Sequence, residues 1–386
     1  MKKNTLGKVS ASVAAATLAC ALTLGTAGAA FADDAVAAEG STDSVSALSD
    51  TDTNDEVAVQ KWYRLAGDNA YGTMNKIVKA GWSSGSDVVI LANYDSYWDA
   101  LTASGLAGFY NAPILLTDGT TLNEDAQAYI DYWDVSKVIA VGGTSVISKN
   151  IETQVAKLNS GNTAFERYWG ANAAGTAYDI YCQATESGNE WGRTAIIATG
   201  SSYYDALAIS SLAYNKHYPI FLAQTDSTLD EDGVMHGTKL GENTINALVS
   251  GDFDKIIIVG GTEAVSSEVE TEQLKNLSKW GMIERLAGEN AVETSQKVAA
   301  YGLTQGLTAT NMGVATTSGY WDALCGAAFC GKLGSVMTLV NPTLAEEAAN
   351  GFVADHASDI GRGYIFGGSD AIPDSAQEVL ENATKE

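Results

Sequence analysis

Four short blocks of sequence recur three times along this chain in an unchanging order, and such a triplication calls for three copies of one structural unit. Trp62-Tyr63-Arg64-Leu65-Ala66-Gly67 returns as Glu166-Arg167-Tyr168-Trp169-Gly170 and as Glu284-Arg285-Leu286-Ala287-Gly288. Tyr97-Trp98-Asp99-Ala100-Leu101 returns as Tyr203-Tyr204-Asp205-Ala206-Leu207 and Tyr320-Trp321-Asp322-Ala323-Leu324. Pro113-Ile114-Leu115-Leu116-Thr117 pairs with Pro219-Ile220-Phe221-Leu222-Ala223 and, more weakly, with Val336-Met337-Thr338-Leu339. The last block is Lys137-Val138-Ile139-Ala140-Val141-Gly142-Gly143-Thr144, matched from Lys255 to Thr262 and from Arg362 to Ser369. The distance from the Asp to the first Gly of the Gly-Gly pair is 43, 55 and 45 residues. The excess of the middle copy falls around Asp230 to Gly241, where it reads as a surface-loop insertion.

Within each copy, short apolar runs alternate with amphipathic ones. Val88-Val89-Ile90-Leu91 and Val138-Ile139-Ala140-Val141 are apolar at every position, as strands covered by helices on both faces must be. Leu122, Ala126, Tyr129, Ile130 and Trp133 recur at helical spacing, as do Ile151, Val155 and Leu158. Pro113 and Pro219 open their strands, where a missing N–H is tolerated. Strand and helix alternating four times per unit predict a doubly wound parallel sheet in each of three tandem Rossmann-like α/β units. The units fall at 61–162, 163–282 and 283–386, with terminal strands as candidates for exchange between neighbours.

Lys2, Lys3 and Lys8, an Ala-rich apolar run and Ala30-Phe31-Ala32 describe a signal peptide over 1–32. Residues 33–60 are acidic, with no aromatic or basic side chain, and read as a disordered acidic tail. No other stretch is apolar enough to span a membrane. The formal net charge is −25, which disfavours nucleic acid and anionic lipid as partners. Cys182, Cys325 and Cys330, an odd set without CxxC spacing, read as packing residues rather than a disulfide framework or zinc site.

The four blocks together resemble the cell-wall-binding repeat 2 family of Gram-positive surface proteins, whose members carry three tandem copies. The resemblance covers Trp62 to about Ala383. It implies modules packed as an intramolecular pseudo-threefold trimer, and non-covalent attachment to an anionic secondary polysaccharide of the wall. The chain departs from the family where the first motif continues as Gly-x-x-Arg-Tyr-x-Thr. Here the copies run Gly67 to Thr73, Gly170 to Thr176 and Gly288 to Thr294, the second arginine is absent from all three, and only Tyr71 keeps the tyrosine.

Three of the five arginines, Arg64, Arg167 and Arg285, hold one matched position. A guanidinium there suits bidentate grip on phosphate or carboxylate, or equally an ion pair with an Asp across a unit junction. The aromatic pairs Tyr97-Trp98, Tyr203-Tyr204 and Tyr320-Trp321 follow predicted strand ends, the edge where open parallel sheets bind ligands. They suit stacking on sugar rings, or packing at a helix start. Asp99 and Asp205 stand three residues after Ser96 and Ser202, a pattern like a capping box; a capping or inter-unit role is expected of them and of Asp322. The Gly-Gly turns match no nucleotide-binding fingerprint, and no catalytic constellation accompanies His217, His236 or His356.

The expected protein is therefore a secreted wall-binding protein, not an enzyme, with no cofactor and no metal site. Its acidity demands local basic clusters or bridging divalent cations on loops such as Asp226 to Asp232. Two other readings stand beside it. One is a stand-alone amidase-like envelope hydrolase using His217 and His236. The other is a surface-layer or adhesion protein that acts through its acidic tail.

Overall fold

A computed structural model describes residues 61–224, 237–344, 347–349 and 351–385. The expected leader, the acidic tail, the Asp226 to Asp232 loop and His236 lie outside the described residues. The first repeat runs β1 (Trp62–Leu65), α1 (Ala70–Gly81), β2 (Val88–Asn93), α2 (Ala103–Phe109), β3 (Ile114–Thr117), α3 (Glu124–Tyr132), β4 (Lys137–Val141) and α4 (Lys149–Val155). The second runs β5 (Ala164–Tyr168), α5 (Ala173–Glu186), β6 (Thr194–Thr199), α6 (Tyr204–Lys216), β7 (Ile220–Ala223), α7 (Glu242–Ser250), β8 (Lys255–Val259) and α8 (Lys275–Lys279). The third runs β9 (Ile283–Leu286), α9 (Ala291–Thr304), β10 (Thr308–Thr316), α10 (Trp321–Lys332), β11 (Ser335–Val340), α11 (Phe352–Asp355), β12 (Gly363–Phe366) and α12 (Asp374–Ala383).

These strands form three parallel four-stranded sheets, ordered β3-β2-β4-β5, β7-β6-β8-β9 and β11-β10-β12-β1. In each sheet the chain steps from β2, β6 or β10 to one side and then crosses to the other, so the switch-point crevice opens at the carboxyl ends between β2 and β4, β6 and β8, and β10 and β12. The fourth strand of every sheet comes from the next repeat. The last sheet takes its fourth strand from the first repeat, which closes the three units into a ring. Arg167 lies opposite Ala140, Arg285 opposite Ile258 and Arg64 opposite Ile365. Each first block therefore completes the sheet of the repeat before it.

The helices that follow the aromatic blocks pack on one another at the middle of the ring. Residues 103–108 of α2, 205–214 of α6 and 323–331 of α10 are buried at every position. Their small residues allow this. A side chain at Gly108 would overlap the Tyr214 carbonyl of the neighbouring repeat. Total burial also explains why Cys325 and Cys330, placed on different faces of α10, are both buried and free. One apolar core runs through all three repeats, and a smaller one lies in the second repeat around Phe221 and Phe253.

Candidate binding face

All three aromatic blocks follow the first strand of their own sheet, and the ring brings them to a single place. The Tyr97 ring centroid lies 5.3 Å from that of Tyr203 and 5.3 Å from that of Tyr320, and Tyr203 to Tyr320 is 5.9 Å. Each hydroxyl donates to a carbonyl of the next repeat: Tyr97 to Ser201 (3.5 Å), Tyr203 to Thr317 (2.9 Å), and Tyr320 to Tyr94. Burial pushes all three phenols up, Tyr320 to about 12. They therefore remain neutral donors at any physiological pH. The inner tyrosines lock the ring together.

The second member of each pair lies outside that triangle. Trp98 stacks on Tyr97 with ring centroids 4.4 Å apart, while Tyr204 packs tilted against Tyr203 at 4.4 Å and Trp321 tilted against Tyr320 at 4.6 Å. Trp321 is further engaged: its Nε1 donates to the Tyr94 carbonyl at 2.6 Å, and its ring stacks on Tyr94, which stacks on Tyr71. Trp98 is 43% exposed, and at the same sheet edge Trp169, 55% exposed, covers Gly143. Tyr94 and Trp169 escape the repeat pattern because their counterparts in the other copies are not aromatic. Tyr71 did leave a signal as the only tyrosine retained in its motif.

Asp99, Asp205 and Asp322 do not cap their helices, since no side-chain capping bond forms at Asp99, which opens the 3-10 turn Ala100–Thr102 leading into α2, or at Tyr203 and Tyr320, which open α6 and α10. Each carboxylate turns instead toward the first glycine of the Gly-Gly turn. The backbone of Gly142, Gly260 and Gly367 is left-handed, with φ of 116°, 104° and 109°. A Cβ on Gly142 would stand 2.9 Å from Asp99 Oδ2. Glycine is thus required twice, by the backbone and by the approach of the carboxylate. Across the junction, Asp99 meets Thr176 of the second repeat and Asp322 meets Thr73 of the first. Burial pushes Asp205 and Asp322 up to about 6, against the Arg285 charge and the Thr73 hydroxyl respectively, and raises Asp99 as well.

On the far side of the same turns, the arginines donate inward. Arg64, Arg167 and Arg285 Nη1 reach the carbonyls of Gly367, Gly142 and Gly260 at 2.9, 2.9 and 2.8 Å. Arg285 also pairs with Glu270 at 2.8 Å, Arg64 with Asp374 at 3.3 Å and Arg167 with Glu152 at 3.8 Å. These geometries support the junction role rather than an open anion grip. His217 ends α6 in a left-handed conformation against Phe109, and His356 contacts Asp359; neither takes part in the aromatic triangle's hydrogen bonds. Among the described residues, no group of three or more His, Cys, Asp or Glu could hold a metal ion. No described helix is long and apolar enough to cross a membrane.

The family described as Cell wall binding domain 2 matches residues 64–152, 167–270 and 285–377. The chain belongs to that family. Each match begins at one of the three arginines, so the family repeat starts with the strand that completes the preceding sheet. The N-acetylmuramoyl-L-alanine amidase LytC of Bacillus subtilis (strain 168) is 25% identical over 83% of this chain. The amidase enhancer of the same organism is 28% identical over 79% of it. The chain spans 58% and 38% of those two relatives, so their named activities belong to longer proteins. Among solved structures, Cwp6 from Clostridium difficile shares the fold, with a TM-score of 0.70 and 23% identity over 88% of this chain and 51% of that one. Cwp8 from Clostridium difficile has a TM-score of 0.67 and 26% identity over 84% of this chain and 52% of that one. As a Cell wall binding domain 2 protein, this chain is built from binding repeats.

Proposed function

We propose that this Cell wall binding domain 2 chain is secreted and attaches non-covalently to an anionic secondary polysaccharide of the cell wall, through the carboxyl-edge face at its pseudo-threefold axis. The convergence of all three aromatic blocks on that one face carries the reading. Flat aromatic surfaces stack on sugar rings, and Trp98, backed by Tyr97, is the most exposed of the paired aromatics there. The engaged arginines argue that the polymer's charge is met through bridging divalent cations rather than by Arg64, Arg167 or Arg285. The chain's own negative charge points the same way.

Co-sedimentation with purified cell walls tests this. The intact protein should pellet with walls, lose retention when the anionic polymer is stripped from them, and lose it again in chelator. Trp98→Ala should weaken retention by about tenfold, the upper end for one aromatic stack, with thermal stability unchanged. Equal retention by stripped and intact walls would defeat the polymer reading, and indifference to Trp98→Ala would move the site elsewhere.

A further inference from the structure

The amino edge of the first sheet carries a cleft of about 670 Å³ between the loops that enter β2, β3 and β4. It is on the opposite edge from the aromatic triangle, and its size falls within the range of small-molecule sites, about 300–1,000 Å³. Tyr110, Tyr132 and Trp133 line it together with Ser84, Asp87 and Asn111. Tyr132 is 81% exposed, so packing within the chain does not account for it. Trp133 is fixed in advance. The Tyr129 ring lies 4.6 Å away, and Gly85, at φ 85°, sits so close that a Cβ would be 3.2 Å from the indole.

We propose that this cleft binds a short neutral glycan, as a site separate from the axis face. Aromatic faces beside hydroxyl, carboxylate and amide groups form the set that recognises a sugar's C–H face and its hydroxyls. The Ser84 hydroxyl and the Asp87 carboxylate make no hydrogen bond to other described residues, so both remain available to a ligand. No lysine or arginine lines the cleft. Nearby Lys137 is paired with Glu166 at 2.8 Å, and Lys332 Nζ donates to Asn111 Oδ1 at 2.8 Å, which leaves the Asn111 amide nitrogen for a ligand. Asp87 is the one acidic residue of the lining and no basic residue accompanies it there, so the site disfavours an anionic ligand.

The other repeats lack these features. In the second, Arg193 stands where Asp87 does and forms ion pairs with Asp252 and Asp254, while Ser250 and Gly251 replace Tyr132 and Trp133. In the third, Ala357 and Ser358 take the aromatic positions. One repeat of three thus carries the cleft.

Calorimetric titration of the full chain with tri-N-acetylchitotriose and with cellotriose, and with a hyaluronan tetrasaccharide as the anionic counterpart, tests the proposal. At least one neutral sugar should bind saturably and more tightly than the hyaluronan fragment. Tyr132→Ala and Asp87→Ala should each weaken that binding by about tenfold with unchanged melting curves, and Trp98→Ala should leave it intact. No binding of either neutral sugar, tighter binding of the anionic fragment, or indifference to both cleft variants would overturn it. Trp98→Ala acts on wall retention and the cleft variants on oligosaccharide binding, so failure at one face is distinguishable from failure at the other.

Discussion

At the junction between the second and third repeats, Arg285 donates to the carbonyls of Gly260, Gly261 and Val265 and through two nitrogens to Glu270. At the junction between the first and second, Arg167 donates to the Gly142 carbonyl, stands 3.8 Å from Glu152, and keeps Nη2 buried with no hydrogen bond. The two arginines hold the same position, and Glu270 and Glu152 each lie ten residues after the first glycine of their turns. What differs is the backbone that carries the carboxylate. Glu270 sits in a π-helical turn, Val269–Gln273, and is 25% exposed, whereas Glu152 sits in regular α4 and is 48% exposed. The third junction puts Gln377 at that position, bonded to Arg64 Nε at 3.2 Å, and Asp374 supplies the charge. Repeated sequence places the partners, but local helix geometry sets how tightly they meet.

The largest effect should therefore come from Arg285→Ala. Removing one partner of a largely buried pair costs about 3–5 kcal/mol. Because Glu270 keeps some solvent, about 3 kcal/mol is expected by chemical denaturation. A loss no larger than that of Arg167→Ala would break the contrast between the junctions.

Protonation probes the inner face of the same turns. Asp205 and Asp322 have an ordinary value of 3.8 and are raised to about 6 in the fold. Between those values the folded state binds more protons than the unfolded one. Each group's contribution is thus fully present below about pH 4 and is lost as pH rises through 6. At about 1.4 kcal/mol per unit, each carboxylate should change stability by about 2–3 kcal/mol over that window. The whole chain's negative charge acts in the same direction, so the informative quantity is a difference. Asp205→Asn should match or exceed the intact protein's stability at pH 7.5, and its advantage should shrink as the pH falls and vanish only below about pH 4. Parallel pH profiles for the two proteins would show that Asp205 is not held above its ordinary value.

Much of this arrangement was legible in the sequence, for identifiable reasons. β2 and β4 announced themselves because buried parallel strands must be apolar on both faces, and Pro113 and Pro219 marked where β3 and β7 begin. Arg64, Arg167 and Arg285 stood out because arginine is rare here and recurs in register. Spacing could not show that Asp99 faces a glycine turn and a neighbouring threonine instead of capping its own helix, because the glycine arrives from the adjacent strand β4 and the threonine from the next repeat, through tertiary packing alone. The all-round burial of α2, α6 and α10 was hidden for the same reason. The amino-edge cleft left no trace in the repeat pattern. Its residues come from three loops that differ between copies, and Trp133 reads in sequence as one more member of a helical apolar stripe.

The smallest effect, and the sharpest test of the junction contrast, belongs to Arg167→Ala. This substitution removes one hydrogen bond to the Gly142 carbonyl and a long ion pair to a half-exposed glutamate, and the nitrogen of that pair, Nη2, is buried without a hydrogen bond. The two losses destabilise, by about 1.5–3 kcal/mol for the charged hydrogen bond and at most a few tenths for the long pair. Relief of the unpaired nitrogen acts in the opposite direction, so a net loss near 1 kcal/mol is expected. A double-mutant cycle separates these contributions. The coupling of Arg167 with Glu152 should fall below about 0.5 kcal/mol, and that of Arg285 with Glu270 should exceed about 1.5 kcal/mol. If the two couplings were equal, the π turn would make no difference to the bond, and the tighter junction would owe its strength to the carbonyls alone.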